Sequence, residues 1–310
     1  MIKTDESMSG DGMYYYSLFG YVIESDLEFP QLMISKETKA DFVIKEGRVP
    51  EYVYDQREKN VYEIGDKSSW LINPTCMLYV ENGQIITYEK QEGAMEQKVR
   101  NYIMGWGMSL VGLQKGIIAM HCSVVASEKG ALLISGESGT GKSTLTNLIL
   151  DAGYKFMADD MTYVETDESG EVYVKPAFPY QKLCRDAALR KGYSLEELIY
   201  VNESKDKFLV PYDGEFENKA VPVKALLILR LTKDEAVSVK EMAGMNKFMG
   251  CATNQFLRHL LEEDKYKGTS GRECLRMAQG IRVFVVERPL KGDTLIEISE
   301  KVMKIVNEVL

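Results

Sequence analysis

Residues Gly136-Glu137-Ser138-Gly139-Thr140-Gly141-Lys142-Ser143-Thr144 spell the loop pattern G-x-x-x-x-G-K-[ST], and they constrain the surrounding fold more than any other stretch of the chain. Such a loop needs a buried strand before it and a helix after it. The apolar run 131–135 predicts the strand, and 145–152, stopped by Gly153, predicts the helix. The glycines let successive backbone N–H groups turn inward around phosphate oxygens, and the helix N-terminus adds its positive dipole end. In that geometry Lys142 reaches the β- and γ-phosphates and the Ser143 hydroxyl serves a bound Mg²⁺. Average residue usage produces the pattern by chance in about one chain in a hundred of this length. The loop therefore predicts binding of a nucleoside triphosphate, ATP with Mg²⁺, through residues 136–144.

The 310 residues are 45% hydrophobic and 27% charged, the balance of a soluble globular chain with room for two subdomains. A net charge of −9 without a dense run of Lys and Arg argues against nucleic acid as a partner. The most apolar stretch, 221–231, is broken by Lys224 and Arg230 and is far short of a membrane span. The first seven residues lack the basic start and apolar core of a signal segment, so a cytoplasmic protein is expected. Cys76, Cys122, Cys184, Cys251 and Cys274 have no C-x-x-C spacing and read as buried reduced thiols.

Short β-like runs at 14–22, 40–45, 61–64, 70–72, 77–80 and 85–88 predict a β-rich N-terminal subdomain over residues 1–93. A second domain is expected over 94–310. It opens with a helix in which Met95, Val99, Tyr102, Ile103, Trp106, Leu110 and Leu113 recur at helical spacing until Gly116. Runs 117–126 and 131–135 follow, joined by a hairpin turn at 127–130. Further strands are expected at 154–158, 161–165, 171–175, 223–230 and 281–287, with helices near 194–198 and 242–261. A last helix begins at Asp293-Thr294-x-x-Glu297, a capping-box pattern. The class is α/β with a mixed sheet.

The strand after the loop's helix ends in two acids, Asp159 and Asp160. A helix from Lys142 to Ala152 descends about 16 Å, and six strand residues climb back about 20 Å. Both acids thus return to the sheet edge that carries Lys142 and Ser143. Neighbouring carboxylates there suit two tasks, holding Mg²⁺ and accepting a proton from an incoming hydroxyl. If 127–130 makes the turn, Ala126 pairs with Ala131, Cys122 with Ser135, and His121 lies beside Gly136. His121 can then reach the phosphates or one aspartate, whereas His259, inside an expected helix, reads as structural.

The order His121-Cys-Ser, strand, loop, helix, Gly153-Tyr-Lys-Phe-Met-Ala-Asp159-Asp160 resembles the kinase domain of the bacterial HPr kinase/phosphorylase family. It also resembles smaller HPr-kinase-like proteins that share the nucleotide-binding core of ATP-dependent phosphoenolpyruvate carboxykinase. The likeness is strong over about 117–165 and holds in outline beyond. It implies a mixed-sheet P-loop kinase core of HPr kinase/phosphoenolpyruvate carboxykinase type behind the β-rich subdomain. By resemblance, His121 matches the histidine paired with the catalytic aspartate, Asp159 the general base, and Ser143 a metal ligand, with Asp160 as the second metal-binding candidate and Lys142 as a catalytic cation. The family's E-[IV]-R-G-x-G signature is absent, since the corresponding region reads Glu171-Val-Tyr-Val-Lys-Pro. That argues against phosphorolysis and against HPr as acceptor. The segment Lys175-Pro-Ala-Phe-Pro-Tyr-Gln-Lys182-Leu looks like the corresponding region of the smaller proteins, whose acceptors vary.

The resulting expectation is an ATP-dependent, Mg²⁺-requiring kinase acting on a hydroxyl of a peptide, protein or small molecule, with a peptide or protein serine foremost. No nucleic acid or membrane partner is expected, and a homo-oligomer is left open. Additional positive charge has candidates in Lys182, Arg185, Lys207, Arg272 and Arg288, residue types that more often sit on surfaces. Two other outcomes keep the same loop: an ATPase or nucleotide-dependent switch, and a binding protein without catalysis. The early acid pair and the lack of N-K-x-D disfavour a GTPase-like switch.

Overall fold

Three apolar runs far apart in the chain, Gly130–Gly136, Val221–Thr232 and Arg282–Pro289, lie side by side as parallel strands. They are apolar in near-continuous runs because both of their faces are covered. Side chains alternate sides along a strand, and so do their partners. Leu132, Ile134, Leu227, Leu229 and Val286 pack with Leu145 and Ile149 of helix Lys142–Asp151 and with Val302, Ile305 and Val306 of helix Leu295–Val309. On the opposite face, helix Gly244–Ala252 brings Gly250 so close that a Cβ there would lie 3.0 Å from Ile228 Cδ1. These facts come from a computed structural model that describes residues 12–56, 61–201, 206–261 and 267–310. The first seven residues, where no signal segment is expected, lie outside the described residues.

Antiparallel strands extend this sheet on both sides and make it mixed, as expected. Cys122–Ser127 pairs with the loop strand and carries Lys155–Ala158 on its outer side. Ser238–Glu241 flanks Arg282–Pro289. The start of Val221–Thr232 also pairs with Val172–Val174, which leads through Thr162–Thr166 to Ile118–Met120. The hairpin expected around 168–170 is present, and Asp167 fastens its turn by accepting the Glu171 N–H at 3.0 Å.

The chain divides into two units, one of Met1–Ile117 with Lys182–Pro211 and the other of Ile118–Gln181 with Tyr212–Leu310. This corrects the boundary expected between residues 93 and 94. The helical stretch 96–115 belongs to the first unit because its polar side chains fasten it to that unit's sheet. Gly83 N–H donates to Gln114 Oε1 at 2.6 Å, Gln114 Nε2 donates to Val80 O at 3.2 Å, and Gly107 meets Ile86 where a Cβ would lie 3.2 Å from Cδ1. The same stretch is π-helical over Ile103–Gly107 and ends at Gly116, whose φ of 74° is the left-handed stop its position predicts.

The first unit holds an eight-stranded sheet, which bears out its β-rich reading. The single strand expected at 14–22 is a hairpin of Tyr14–Leu18 and Tyr21–Ser25, turned at Phe19 and Gly20 with φ of 52° and 73°. Two positive φ values suit such a turn, but phenylalanine is a rare choice for one, and its buried ring offsets the strain. Strands Tyr180–Cys184, Lys207–Pro211 and Ile199–Val201 form a further small sheet. In place of the helix expected at 242–261 there are two, Gly244–Ala252 and Arg258–Leu261. The predicted capping box does not form. Asp293 Oδ1 takes the Leu295 N–H at 3.1 Å, and Glu297 pairs with Lys301 at 2.8 Å instead of reaching back. Among the described residues no helix is long and apolar enough to cross a membrane.

Ile134 is fully buried between the parallel strands and both helices. Ile134→Ala is expected to cost about 2–5 kcal/mol of stability. Chemical denaturation would show it as a lowered midpoint with an unchanged slope.

Candidate functional site

The loop strand ends at Gly136, where a Cβ would lie 2.7 Å from Thr140 Oγ1 and 2.9 Å from Leu229 O, so only glycine fits the crossing. Gly139 and Gly141 have φ of 89° and 100°, and helix Lys142–Asp151 starts directly after the second. The crest Glu137, Ser138 and Gly139 is exposed, and so is Thr144, while Lys142 and Ser143 are half-buried. Thr140 is buried and closes the loop from inside, its N–H and hydroxyl both donating to Glu137 O at 3.2 and 2.8 Å. This uses its side chain for loop geometry. The first N–H groups of the helix have no partner one turn back, which leaves donors facing the loop's mouth.

A cation braces the loop from outside. Arg288 Nε donates to Thr140 O at 2.8 Å and Arg288 Nη2 to Gly139 O at 3.2 Å. Arg288 lies near the end of the third parallel strand, opposite Leu231, so strand register delivers it to the same edge as Gly136. Of the other cations considered, Arg185 is engaged with Asp206 and Arg272 with Glu273. Lys182, Arg185 and Lys207 belong to the first unit.

The hairpin register is the expected one: Ala126 opposes Ala131 and Cys122 opposes Ser135. Strand Lys155–Ala158 runs antiparallel to 122–127 with Ala158 opposite Val124, so the next residue, Asp159, arrives beside Ser123. Ser123 is fully buried and its hydroxyl donates to Asp159 Oδ1 at 2.6 Å. Asp160 has φ of 72°, and Met161 N–H reaches Asp159 O at 2.9 Å around it, the mark of a tight three-residue turn. The turn sends the second carboxylate a different way. His121 Nε2 lies 4.0 Å from Asp160 Oδ1, so the histidine expected beside Asp159 comes within ion-pair distance of Asp160.

The fully buried thiol of Cys122 reports this convergence. Burial pushes it up to about 12, the Lys142 charge pulls it back, and Asp159 and Asp160 push it further. One thiol thus feels the loop lysine and both acids. Among the described residues no group of three or more His, Cys, Asp or Glu gathers in the manner of a dedicated metal cage. Ser143 with one aspartate is the oxygen-donor set that Mg²⁺ accepts when substrate phosphates and water supply the rest. His259 lies on the short helix Arg258–Leu261.

Ser123 was within reach of sequence reasoning, since it stands two residues from His121 and alternation puts both on one strand face. Asn254 and Phe256, which contact His121, carry no motif and come from the turn 253–257, more than a hundred residues away.

No family model matches the chain, and no curated protein matches it. Among solved structures the chain is similar to the Hpr(Ser) kinase/phosphatase from Coxiella burnetii, at 13% identity over 61% of this chain and 98% of that one, with a TM-score of 0.29. A likeness of that degree transfers no residue role.

Burial also pushes Cys76, Cys251 and Cys274 up to about 12. Each thiol stays protonated in the folded chain while it ionises near 9.0 in the unfolded one. The unfolded state then binds fewer protons, so this contribution to stability is complete below pH 9.0 and declines as pH rises from there toward about 12. Denaturation midpoints across that range check the sign. Cys184, by contrast, is exposed, unlike the buried thiol expected of it, so at about pH 8, where buried thiols are inert, it should be the one rapidly labelled thiol, and Cys184→Ser should remove the fast phase.

Proposed function

We propose that the protein is an ATP-dependent kinase that transfers the γ-phosphate to a hydroxyl, with a serine of a peptide or protein as the foremost acceptor class. The observation that carries this reading is the meeting of two carboxylates and an imidazole beside the phosphate loop, with His121 Nε2 4.0 Å from Asp160 Oδ1. A loop that only bound nucleotide would need neither. The cradle fits a triphosphate: glycine where a Cβ would collide, an exposed crest, and the open N-terminus of a ten-residue helix.

In this reading the loop amides, with Gly136, Glu137, Ser138, Gly139, Thr140 and Gly141 shaping the cradle, hold the phosphates. Lys142 stabilises the charge on the β- and γ-oxygens. Ser143 and Asp159 hold Mg²⁺, which when bound supplies further neutralisation of phosphate charge. Asp159 suits that task because the buried Ser123 hydroxyl donates to its Oδ1 at 2.6 Å and orients the carboxylate. The proton of the acceptor hydroxyl passes to Asp160, whose neighbour His121 holds the carboxylate in place. This division exchanges the roles first assigned to the two acids, and its warrant is the turn between them, which brings Asp159 to Ser123 and Asp160 to 4.0 Å from His121.

Incubation with γ-labelled ATP and candidate peptides separates the three readings. Label in the acceptor supports the kinase, free phosphate alone an ATPase, and neither a binding protein. Lys142→Ala is expected to remove about 1.5–3 kcal/mol of nucleotide binding, about tenfold or more in Kd by calorimetry. Affinity within twofold of wild type would remove the central claim. Asp159→Asn should raise the Mg²⁺ concentration needed for half-maximal rate, whereas Asp160→Asn should lower the saturated rate by about 10²-fold or more with ATP affinity retained. The reverse pattern would return the acids to their first assignment.

A further inference from the structure

His121 stands where the chain changes partners. Residues 118–120 pair with 162–164, whereas 122–127 pair with the loop strand and with Lys155–Ala158, so His121 belongs to neither ladder. Its backbone is satisfied by the turn between helices Gly244–Ala252 and Arg258–Leu261. His121 N–H donates to Asn254 O at 2.8 Å, Met120 and Gln255 form an isolated bridge, and Phe256 N–H donates to Ala119 O at 2.8 Å. The turn is itself fastened at both ends of this contact. Ser270 donates to Gln255 Oε1 at 2.7 Å, and Asn254 Nδ2 donates to Gly250 O at 2.7 Å.

Asn254 also ties His121 to the loop strand. Ser135 Oγ, one residue before Gly136, lies 2.6 Å from Asn254 Oδ1 and 2.7 Å from His121 O, and its single proton serves either. The Phe256 ring lies over the imidazole, with centroids 5.5 Å apart and planes inclined by 21°. The imidazole, with 41% of its side chain exposed, is carried on two torsions. A stacked ring limits rotation about them and keeps water from one imidazole face.

We propose that Phe256, seated by Asn254, is a positioning residue that holds the His121 imidazole toward Asp160. The proposal rests on the kinase reading for its consequence and on the stack alone for its geometry. Misaiming a group that acts in the transition state lowers the chemical rate while leaving ground-state nucleotide binding intact. The stack on His121 is the route by which Phe256 acts on the rate.

The test uses the full chain and two readouts. The sequence has only two histidines, so the His121 ring resonances are assigned by comparison with His259→Gln. In the wild type the His121 ring protons should be displaced upfield by the Phe256 ring, and Phe256→Leu should abolish that displacement. The same variant should lower kcat for phosphoryl transfer by about tenfold with the KM for ATP within twofold, and Phe256→Tyr, which keeps the ring, should restore both. In a His121→Ala background Phe256→Leu should have no further effect on kcat. If Phe256→Leu does not fold, Phe256→Met takes its place with the same expectations. An unchanged ring shift, an unchanged kcat, or a full further loss in the His121→Ala background would overturn the proposal. A wild type that shows the ring shift but transfers no phosphate would sink the kinase reading and leave the stack standing.

Discussion

The tight antiparallel pairing of Cys122–Ser127 with Gly130–Gly136 is the constraint on which the candidate site depends. Side chains on a strand alternate faces, so a slip of one residue would invert both strands and put the wrong set toward the loop. With Ser127 opposite Gly130 the turn leaves no slack, and Cys122 must stand opposite Ser135, one step before the loop begins. Everything at the edge then follows by counting. Ser123 receives Asp159 because Lys155–Ala158 adds to the same strand, and His121 overhangs the loop because it precedes the ladder.

The parallel half of the sheet contributes through direction. Strands Gly130–Gly136, Val221–Thr232 and Arg282–Pro289 run the same way, so their carboxyl ends share one edge. That edge is where an open α/β sheet leaves room for a ligand, because the connections there lead outward to helices. Arg288 reaches the loop by this geometry and offers donors to the carbonyls of Gly139 and Thr140. Those carbonyls are thereby satisfied, and the guanidinium adds positive charge beside the loop.

Local chemistry made part of this legible in the sequence. The loop's helix, the strand that leads to the acid pair and the hairpin register depend on neighbours within forty residues, and the structure has that helix, strand and register where spacing predicts. What escaped depends on distant packing. Nothing near Asn254 or Phe256 marks them as neighbours of His121, since the contact arises only when helix Gly244–Ala252 docks on Ile228 and Val283. The assignment of 96–115 and 182–211 to the first unit is equally nonlocal, because an amphipathic helix shows that it has a buried face but not which sheet covers it. The capping box at Asp293–Glu297 failed for a local reason. Asp293 competes for the helix's first amide, and Glu297 finds Lys301 one turn on.

The two adjacent aspartates show how a dipeptide can carry two roles. In a regular strand neighbouring side chains point to opposite faces, which would send one of the pair away from the site. The chain avoids this by leaving the strand between them. Asp159 follows the strand far enough to meet buried Ser123, and Asp160 then takes a positive φ of 72° that turns it toward His121. Aspartate tolerates that conformation better than most residues, though it remains a strained choice in a three-residue turn. Strain kept at a pair of acids beside a phosphate loop is the distribution expected where backbone geometry is set by chemistry more than by stability. A relaxed turn would lose the separation of the two carboxylates, and the proposed division between cation binding and proton acceptance depends on that separation.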